Sequence, residues 1–345
     1  KRQELGYLNM SRSEYGPNEI KKYRELIVKY IVPLVKKINN KRKEILGIDR
    51  MRIYDTLYFK NGNPKPKGGV EFQVNQAKKM YSELSPETKE FFDIMVNEEL
   101  MDLDNRAGKS GGGFCTSFPL YERPYIFANF NGTDHDVTVL THEAGHAFQC
   151  YMSRKQPINR YLWPTYEACE IHSMSMEFLT WDWMELFFKE DTEKFLFKHI
   201  AGSLSFLPYG ALVDHFQHWV YENPNALPQE RKEKWLELEA IYQPDKDYDD
   251  LSFLGSGGLW QKQSHIYQVP FYYIDYTLAQ VCAFQFWIKM GIDKESTWKD
   301  YLKLCEAGGS LPFLKLVKLA NLDSPFDEKV FQDVADKVDK WLGDN

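Results

Sequence analysis

Apolar residues at Ile20, Tyr23, Leu26, Ile27, Tyr30, Ile31, Leu34, Val35 and Ile38 recur at the spacing of one face of an α-helix. Pro33 falls inside this run and is expected to kink it, because proline has no N–H to give to the preceding turn. The stretches 85–101, 136–154, 165–190, 206–222, 230–242, 268–291, 296–306 and 328–343 also read as helices. Tyr125-Ile126-Phe127-Ala128-Asn129-Phe130 is different, a short run rich in β-formers and the best strand candidate in the chain. No Pro/Ser-rich linker, repeat or low-complexity run divides the 345 residues. The pattern predicts a mainly α, multi-helical body with a small β element. It is taken as a single region over 1–345, with 1–105 as a helical lead-in and 106–345 carrying the chemistry.

Composition narrows the picture only a little. A net charge of −7 argues against a nucleic-acid partner, and Lys36-Lys37 through Lys41-Arg42-Lys43-Glu44 reads as a solvated helix face. Five cysteines without a CxxC do not make a disulfide framework, which points to a reducing compartment. No apolar run approaches a membrane span and no signal peptide is visible, so a cytoplasmic location and no membrane partner are expected.

Candidate chemistry is concentrated at His142-Glu143-Ala144-Gly145-His146. Residues four apart on a helix share a face, so both imidazoles can turn a nitrogen toward one Zn²⁺. Glu143, beside the first of them, can take a proton from a water that such an ion acidifies, and a site of this kind hydrolyses amide bonds. Val139, Leu140, Ala147, Phe148 and Tyr151 suit a helix buried on more than one side, with Asp136 as its expected N-cap. Catalytic zinc usually takes a third protein ligand. After Pro164 and the expected cap Thr165, a second helix places Glu167, Glu170, Ser173, Met174 and Glu177 on one face. A row of carboxylates on an otherwise apolar helix is costly to bury unless paired or metal-bound; the alternative is a solvated acidic stripe.

HEAGH followed by Glu170-Ile171-x-Ser173-Met174-x-x-Glu177 resembles the thimet oligopeptidase and oligoendopeptidase F family of zinc peptidases, and the bacterial oligoendopeptidase F branch most closely. The likeness extends through Phe130-Asn131-Gly132-Thr133 ahead of the motif. It continues in Asp214-His215-Phe216-Gln217-His218-Trp219-Val220-Tyr221-Glu222-Asn223-Pro224 and in the segment from His265 to Tyr276. The resemblance implies a zincin-like catalytic body holding one Zn²⁺ through His142, His146 and Glu170, with Glu143 as general base. Glu167 is similar to an acidic position that orients a ligand histidine. A histidine and two tyrosines of the later segment would serve the oxyanion and the substrate: His265 and Tyr276, then Tyr272, with Tyr267 and Tyr273 as the competing tyrosines.

Activity on internal bonds of short oligopeptides is therefore expected. The alternatives are a zinc carboxypeptidase of related fold and a non-catalytic peptide-binding fragment. The chain does not begin with methionine, and it reads as the C-terminal catalytic portion of a longer protein whose upstream segment is a possible partner. Gly108-Lys109-Ser110-Gly111-Gly112-Gly113 lacks the first glycine and the leading strand of a phosphate loop, and is expected instead to be a flexible active-site loop. Tyr125–Phe130 is expected to be the edge strand that pairs with a substrate backbone. Gly255, Gly257 and Gly258 are expected to form a second mobile loop, a lid or a plain connector.

Overall fold

The computed structural model describes residues 2–344. Its contacts divide into two compact units, one made of residues 1–62, 198–281 and 324–345, the other of 63–197 and 282–323. Helices dominate both, and a three-stranded sheet belongs to the second. Among the described residues no helix is long and apolar enough to cross a membrane. None of the five cysteines forms a disulfide.

In the first unit the periodic run from Ile20 is helical, and its irregularity lies just before Pro33. Pro17–Leu26 passes through a π turn at Ile27–Ile31 into Val32–Leu46. The wider turn relieves the proline ring, whose missing N–H leaves a carbonyl without a helical partner. Ile20, Tyr23, Ile27 and Ile31 are fully buried, and Glu328–Asp344 packs on this face, with Tyr23 edge-on to Phe331 at 5.5 Å between ring centres.

The helix expected at 206–222 is longer, Thr192–Glu222, and continues through Pro208. The segment expected as one helix from 268 breaks into His265–Gln268 and Tyr273–Met290. At the break Phe271 takes a left-handed φ of 68°. Gln217 Oε1 accepts its N–H at 2.6 Å and Arg12 donates to its carbonyl. Gly255–Gly258 lies in a tight turn, Leu254–Gly258, kinked at Gly257 and packed on the helix Pro228–Tyr242. Gly257, at φ 89°, lies so close that a Cβ would stand 2.2 Å from the Lys232 carbonyl oxygen.

The second unit carries the sheet, β1 (Met101–Asp104), β2 (Phe114–Phe118) and β3 (Arg123–Phe130). The order is β1-β3-β2, parallel between β1 and β3 and antiparallel between β2 and β3. The strand foreseen at Tyr125–Phe130 is thus central and not an edge. Burial alternates along it, as its apolar pattern requires, while the short strands that cover it have no such pattern to reveal them. The free antiparallel edge belongs to β2. The helix expected at 85–101 stops at Asn97 and yields to β1. Val70–Leu84 is a helix that its periodicity did not announce, because Gln73 sits on the buried face with Ala77, Met80 and Tyr81.

Buried charge ties the first unit together. Asp214 is inaccessible to solvent and accepts from Arg24 Nη1 at 2.5 Å, while His218 stands 3.2 Å from the same nitrogen and 3.1 Å from the Tyr7 hydroxyl. Burial alone would raise the Asp214 pKa, but His218 and Arg24 outweigh it and hold the carboxyl well below the usual carboxylate range. A carboxyl depressed on folding stabilises the fold above its unfolded pKa of about 3.9 and loses that contribution as pH falls toward the folded value. Asp214→Asn is expected to cost about 3–5 kcal/mol near neutral pH, since Arg24 is left buried without its counter-charge. The difference from wild type should shrink in urea titrations near pH 3. An equal gap at both pH values would mean that the carboxylate charge contributes nothing.

Candidate metal centre

β3 delivers the chain into the motif helix, His135–Ser153, through a turn at Asn131-Gly132. Gly132 has φ 81°, a conformation that glycine adopts without strain. Asp136 was expected at the N-cap; the cap position is Asp134, and Asp136 lies in the first turn. There its carboxylate reaches back to accept from the N–H groups of Asn131 at 2.9 Å and Gly132 at 2.7 Å. It therefore fixes the angle at which the helix leaves the sheet. The helix is buried on several sides, as expected, with Phe148 edge-on to Phe91 and parallel to Tyr301.

The second helix, Tyr166–Leu179, follows its cap Thr165 and packs on the first. They meet at Gly145. A Cβ there would stand 2.7 Å from both the His172 carbonyl oxygen and the Ser173 Cα, so no other residue permits this approach. Glu167, Glu170 and Glu177 are 1%, 5% and 9% exposed, which excludes the solvated acidic stripe.

His142, His146 and Glu170 come together, with one ligand atom from each lying within 4.8 Å of the others. Glu170 Oε2 is 3.3 Å from His142 Nε2 and 3.4 Å from His146 Nε2. Ligands at 2.0–2.1 Å from a tetrahedral ion stand about 3.3–3.4 Å apart, so the donor types and the two glutamate–histidine spacings fit zinc. His142 Nδ1 is 2.7 Å from Glu177 Oε1. With that nitrogen protonated toward the carboxylate, Nε2 keeps its lone pair for a metal. The Ser173 hydroxyl lies 3.1 Å from both Glu170 Oε2 and the Glu170 carbonyl. Burial favours neutral His142, yet hydrogen bonds and charge from Glu170 and Glu177 prevail and hold its pKa well above the ordinary histidine value. Glu170 is likewise pushed up by burial but held well below the carboxylate range by the two histidines.

Glu143 is 7% exposed, and its Oε2 is buried without a hydrogen-bond partner from the protein. Burial raises its pKa, partly offset by His142 and His146. A methyl group built on Gly113 would stand 3.5 Å from Glu143 Oε1, so the glycine loop and the start of β2 lie beside this carboxylate. The loop is pinned, not free: Asn129 Nδ2 donates to the carbonyls of Ser110 at 2.9 Å and Gly112 at 2.8 Å.

His265, Tyr272, Tyr273 and Tyr276 belong to the first unit and form their own cluster there. His265 lies 6.0, 5.0 and 5.9 Å from the three tyrosine rings in turn. Tyr267 points elsewhere, stacking on Trp260, and is 57% exposed. The Gln263 side-chain nitrogen is 2.6 Å from His265 Nδ1, and the Gln263 oxygen accepts from the Tyr209 hydroxyl at 3.0 Å. The Gln263 amide thus bridges the Tyr209 hydroxyl and the His265 ring.

Glu177, Ser173 and Gln263 were not assigned roles from the sequence. Glu177 had a legible signal, since it lies two turns beyond Glu170 on the same face, whereas the orienting role was expected of Glu167. Glu177→Gln is expected to weaken zinc binding about 10- to 100-fold in a chelator competition; unchanged affinity would remove Glu177 from the centre. Gly145→Ala is expected to lose about 1–3 kcal/mol of stability through overpacking, read by thermal or urea unfolding.

A profile of peptidase family M3 matches residues 7–335. The chain is 24% identical over 331 residues to oligopeptidase PepF of Bacillus subtilis (strain 168), covering 90% of this chain and 48% of that protein. It is 25% identical over 295 residues to an oligoendopeptidase F homolog of Borreliella burgdorferi, covering 82% and 48% respectively. The chain thus spans about half the length of these relatives. Among solved structures, PZ peptidase A with inhibitor 2 superposes with a TM-score of 0.97 at 53% identity, over 99% of this chain and 61% of that one. Oligoendopeptidase-F from Enterococcus faecium shares the fold, with a TM-score of 0.62 at 16% identity, over 98% and 54%. The HEAGH helix, the glutamate helix and the profile that spans both agree: this chain belongs to peptidase family M3.

Proposed function

We propose that this chain carries the catalytic centre of a zinc-dependent endopeptidase that cuts internal bonds of short oligopeptides. The observation that carries this reading is the His142–His146–Glu170 cluster with the unpartnered Glu143 Oε2 buried close by. A zinc ion held by those three residues would supply Lewis acidity, polarising the peptide carbonyl and lowering the pKa of water toward about 7. Glu143 accepts the water's proton and returns it to the leaving amine, roles suited to a carboxylate whose pKa burial has raised. Glu177 keeps His142 in the tautomer that offers Nε2, and Ser173 steadies Glu170.

The free edge of β2 gives an extended peptide main-chain partners and thus tolerance of its side chains. The resemblance to the family would give His265, with Tyr276 and then Tyr272, the part of stabilising the developing oxyanion. Support comes from the grouping of these rings in one cluster and from the Gln263 contact with the His265 ring.

The test is hydrolysis of internally quenched peptides of about five to twenty residues, lengths that a cleft can span. Cleavage at internal bonds is expected, lost with a chelator and restored by Zn²⁺. Glu143→Gln is expected to bind zinc as wild type does while losing at least about 100-fold in kcat/KM. Release of C-terminal residues alone would replace this reading with that of a carboxypeptidase. Bound zinc without any cleavage would leave a peptide-binding fragment.

A further inference from the structure

The pairing of β1 with β3 slips beside the candidate centre. Asp102 stands opposite Phe127, but Asp104 stands opposite Phe130. β3 therefore carries one residue more than its partner across this interval, a β-bulge in the central strand. A ladder interrupted in this way leaves carbonyl groups to be satisfied by other donors.

Lys109 satisfies them. Its side chain is 1% exposed, and Nζ donates to the carbonyls of Asp102 at 3.0 Å, Asp104 at 2.8 Å and Ala128 at 2.5 Å. Asp102 Oδ1, 3.0 Å away, shares one of the three N–H donors and supplies the counter-charge, and the Phe127 ring centre is 4.5 Å away. Burying an ammonium group is costly unless it is fully paired. Here it is, and the pairing joins β1, the bulge and the glycine loop at one atom.

Asn129 lies in the same bulge and completes the lock. Its amide nitrogen holds the carbonyls of Ser110 and Gly112, while Gly108 and Gly112 take the positive φ values, 80° and 94°, that the loop needs. A Cβ built on the next residue, Gly113, would stand 3.5 Å from Glu143 Oε1, and β2 begins immediately after it.

We propose that Asn129 and Lys109 are positioning residues for peptide binding: by locking the bulge to the glycine loop they set the start of β2's free edge beside Glu143. The ligand class is an extended peptide long enough to pair along β2. The inference rests on the peptidase reading given above. The Asn129 side chain hydrogen-bonds to the loop carbonyls and not to the metal ligands or the general base, so its loss should leave the metal centre alone and act through the loop.

The test uses the full chain, chelator-treated so that peptides survive, and Asn129→Ala. Binding of labelled peptides of about four and about twelve residues is followed by fluorescence anisotropy, since only the longer one can pair along the whole of β2. Hydrogen exchange is read over 110–118 and over the motif helix. The longer peptide is expected to bind about 10-fold more weakly to the variant and the shorter one to change by less than about threefold. Exchange should accelerate over 110–118 and stay unchanged in the motif helix, with zinc affinity preserved. Faster exchange in the loop with unaltered affinity for the longer peptide would overturn the inference alone. A wild-type chain that binds neither peptide would sink the peptidase reading, and the inference with it. Equal weakening for both lengths would also overturn it, because the effect would not follow the strand edge. Lys109→Met carries the same expectation, and Asn129→Ala keeps the test decisive where that variant does not fold.

Discussion

A buried charge must find its counter-charge, and the second unit is organised around that constraint. Glu170 and Glu177 project from an otherwise apolar helix into the interior, where an isolated carboxylate would be too costly to keep ionised. Two histidines on the neighbouring helix meet them: His142 lies between both glutamates, and His146 lies against Glu170. The same geometry that makes the carboxylates tolerable brings three donor atoms of metal-ligating type within 4.8 Å of one another.

That arrangement depends on how closely two helices can approach. Gly145 lets the glutamate helix pass with its backbone against the motif helix, and the Tyr301 hydroxyl, 2.9 Å from the His172 carbonyl, braces it from the far side. The angle of the motif helix is set upstream, by Asp136 holding the Asn131-Gly132 turn at the end of β3. Sheet, turn and helix contact therefore act in series. An error in any one of them would displace a ligand, while the chemistry needs groups placed to a fraction of an ångström.

The first unit answers the same constraint differently. Asp214 and Arg24 are fully or nearly buried and neutralise one another, with His218 and Tyr7 extending the chain of hydrogen bonds. Arg12 pairs likewise with the inaccessible Asp275. Asp275 lies two residues after Tyr273, and Arg12 also holds the Phe271 carbonyl, so the pair braces the corner that carries the His265 and tyrosine cluster. The D-x-F-Q-x-W stretch, noticed in the sequence as a family likeness, is thus part of a structural frame. Its Gln217 supports the Phe271 backbone, and its Asp214 anchors Arg24.

Much of this was legible without coordinates, for a definite reason. The HExxH spacing needs only the period of a helix to place His142 and His146 on one face, and the apolar residues around them needed only a count to predict burial. Local periodicity likewise gave nearly every long helix, and it failed where a polar residue sits on a buried face, as Gln73 does in Val70–Leu84. What local pattern does not encode is who stands opposite whom. That β3 is central, that Asp136 serves the turn before its own helix, and that Glu177 rather than Glu167 meets His142 follow from contacts between segments distant in sequence. Lys109, which reads in the sequence as part of a flexible loop, is buried only because a bulge in β3 leaves carbonyls that an ammonium group can satisfy. Helices, donor types and their spacing depend on neighbours along the chain, and so they could be read from it. Partners depend on pairing energies between neighbours in space, and so they emerge only in the folded molecule.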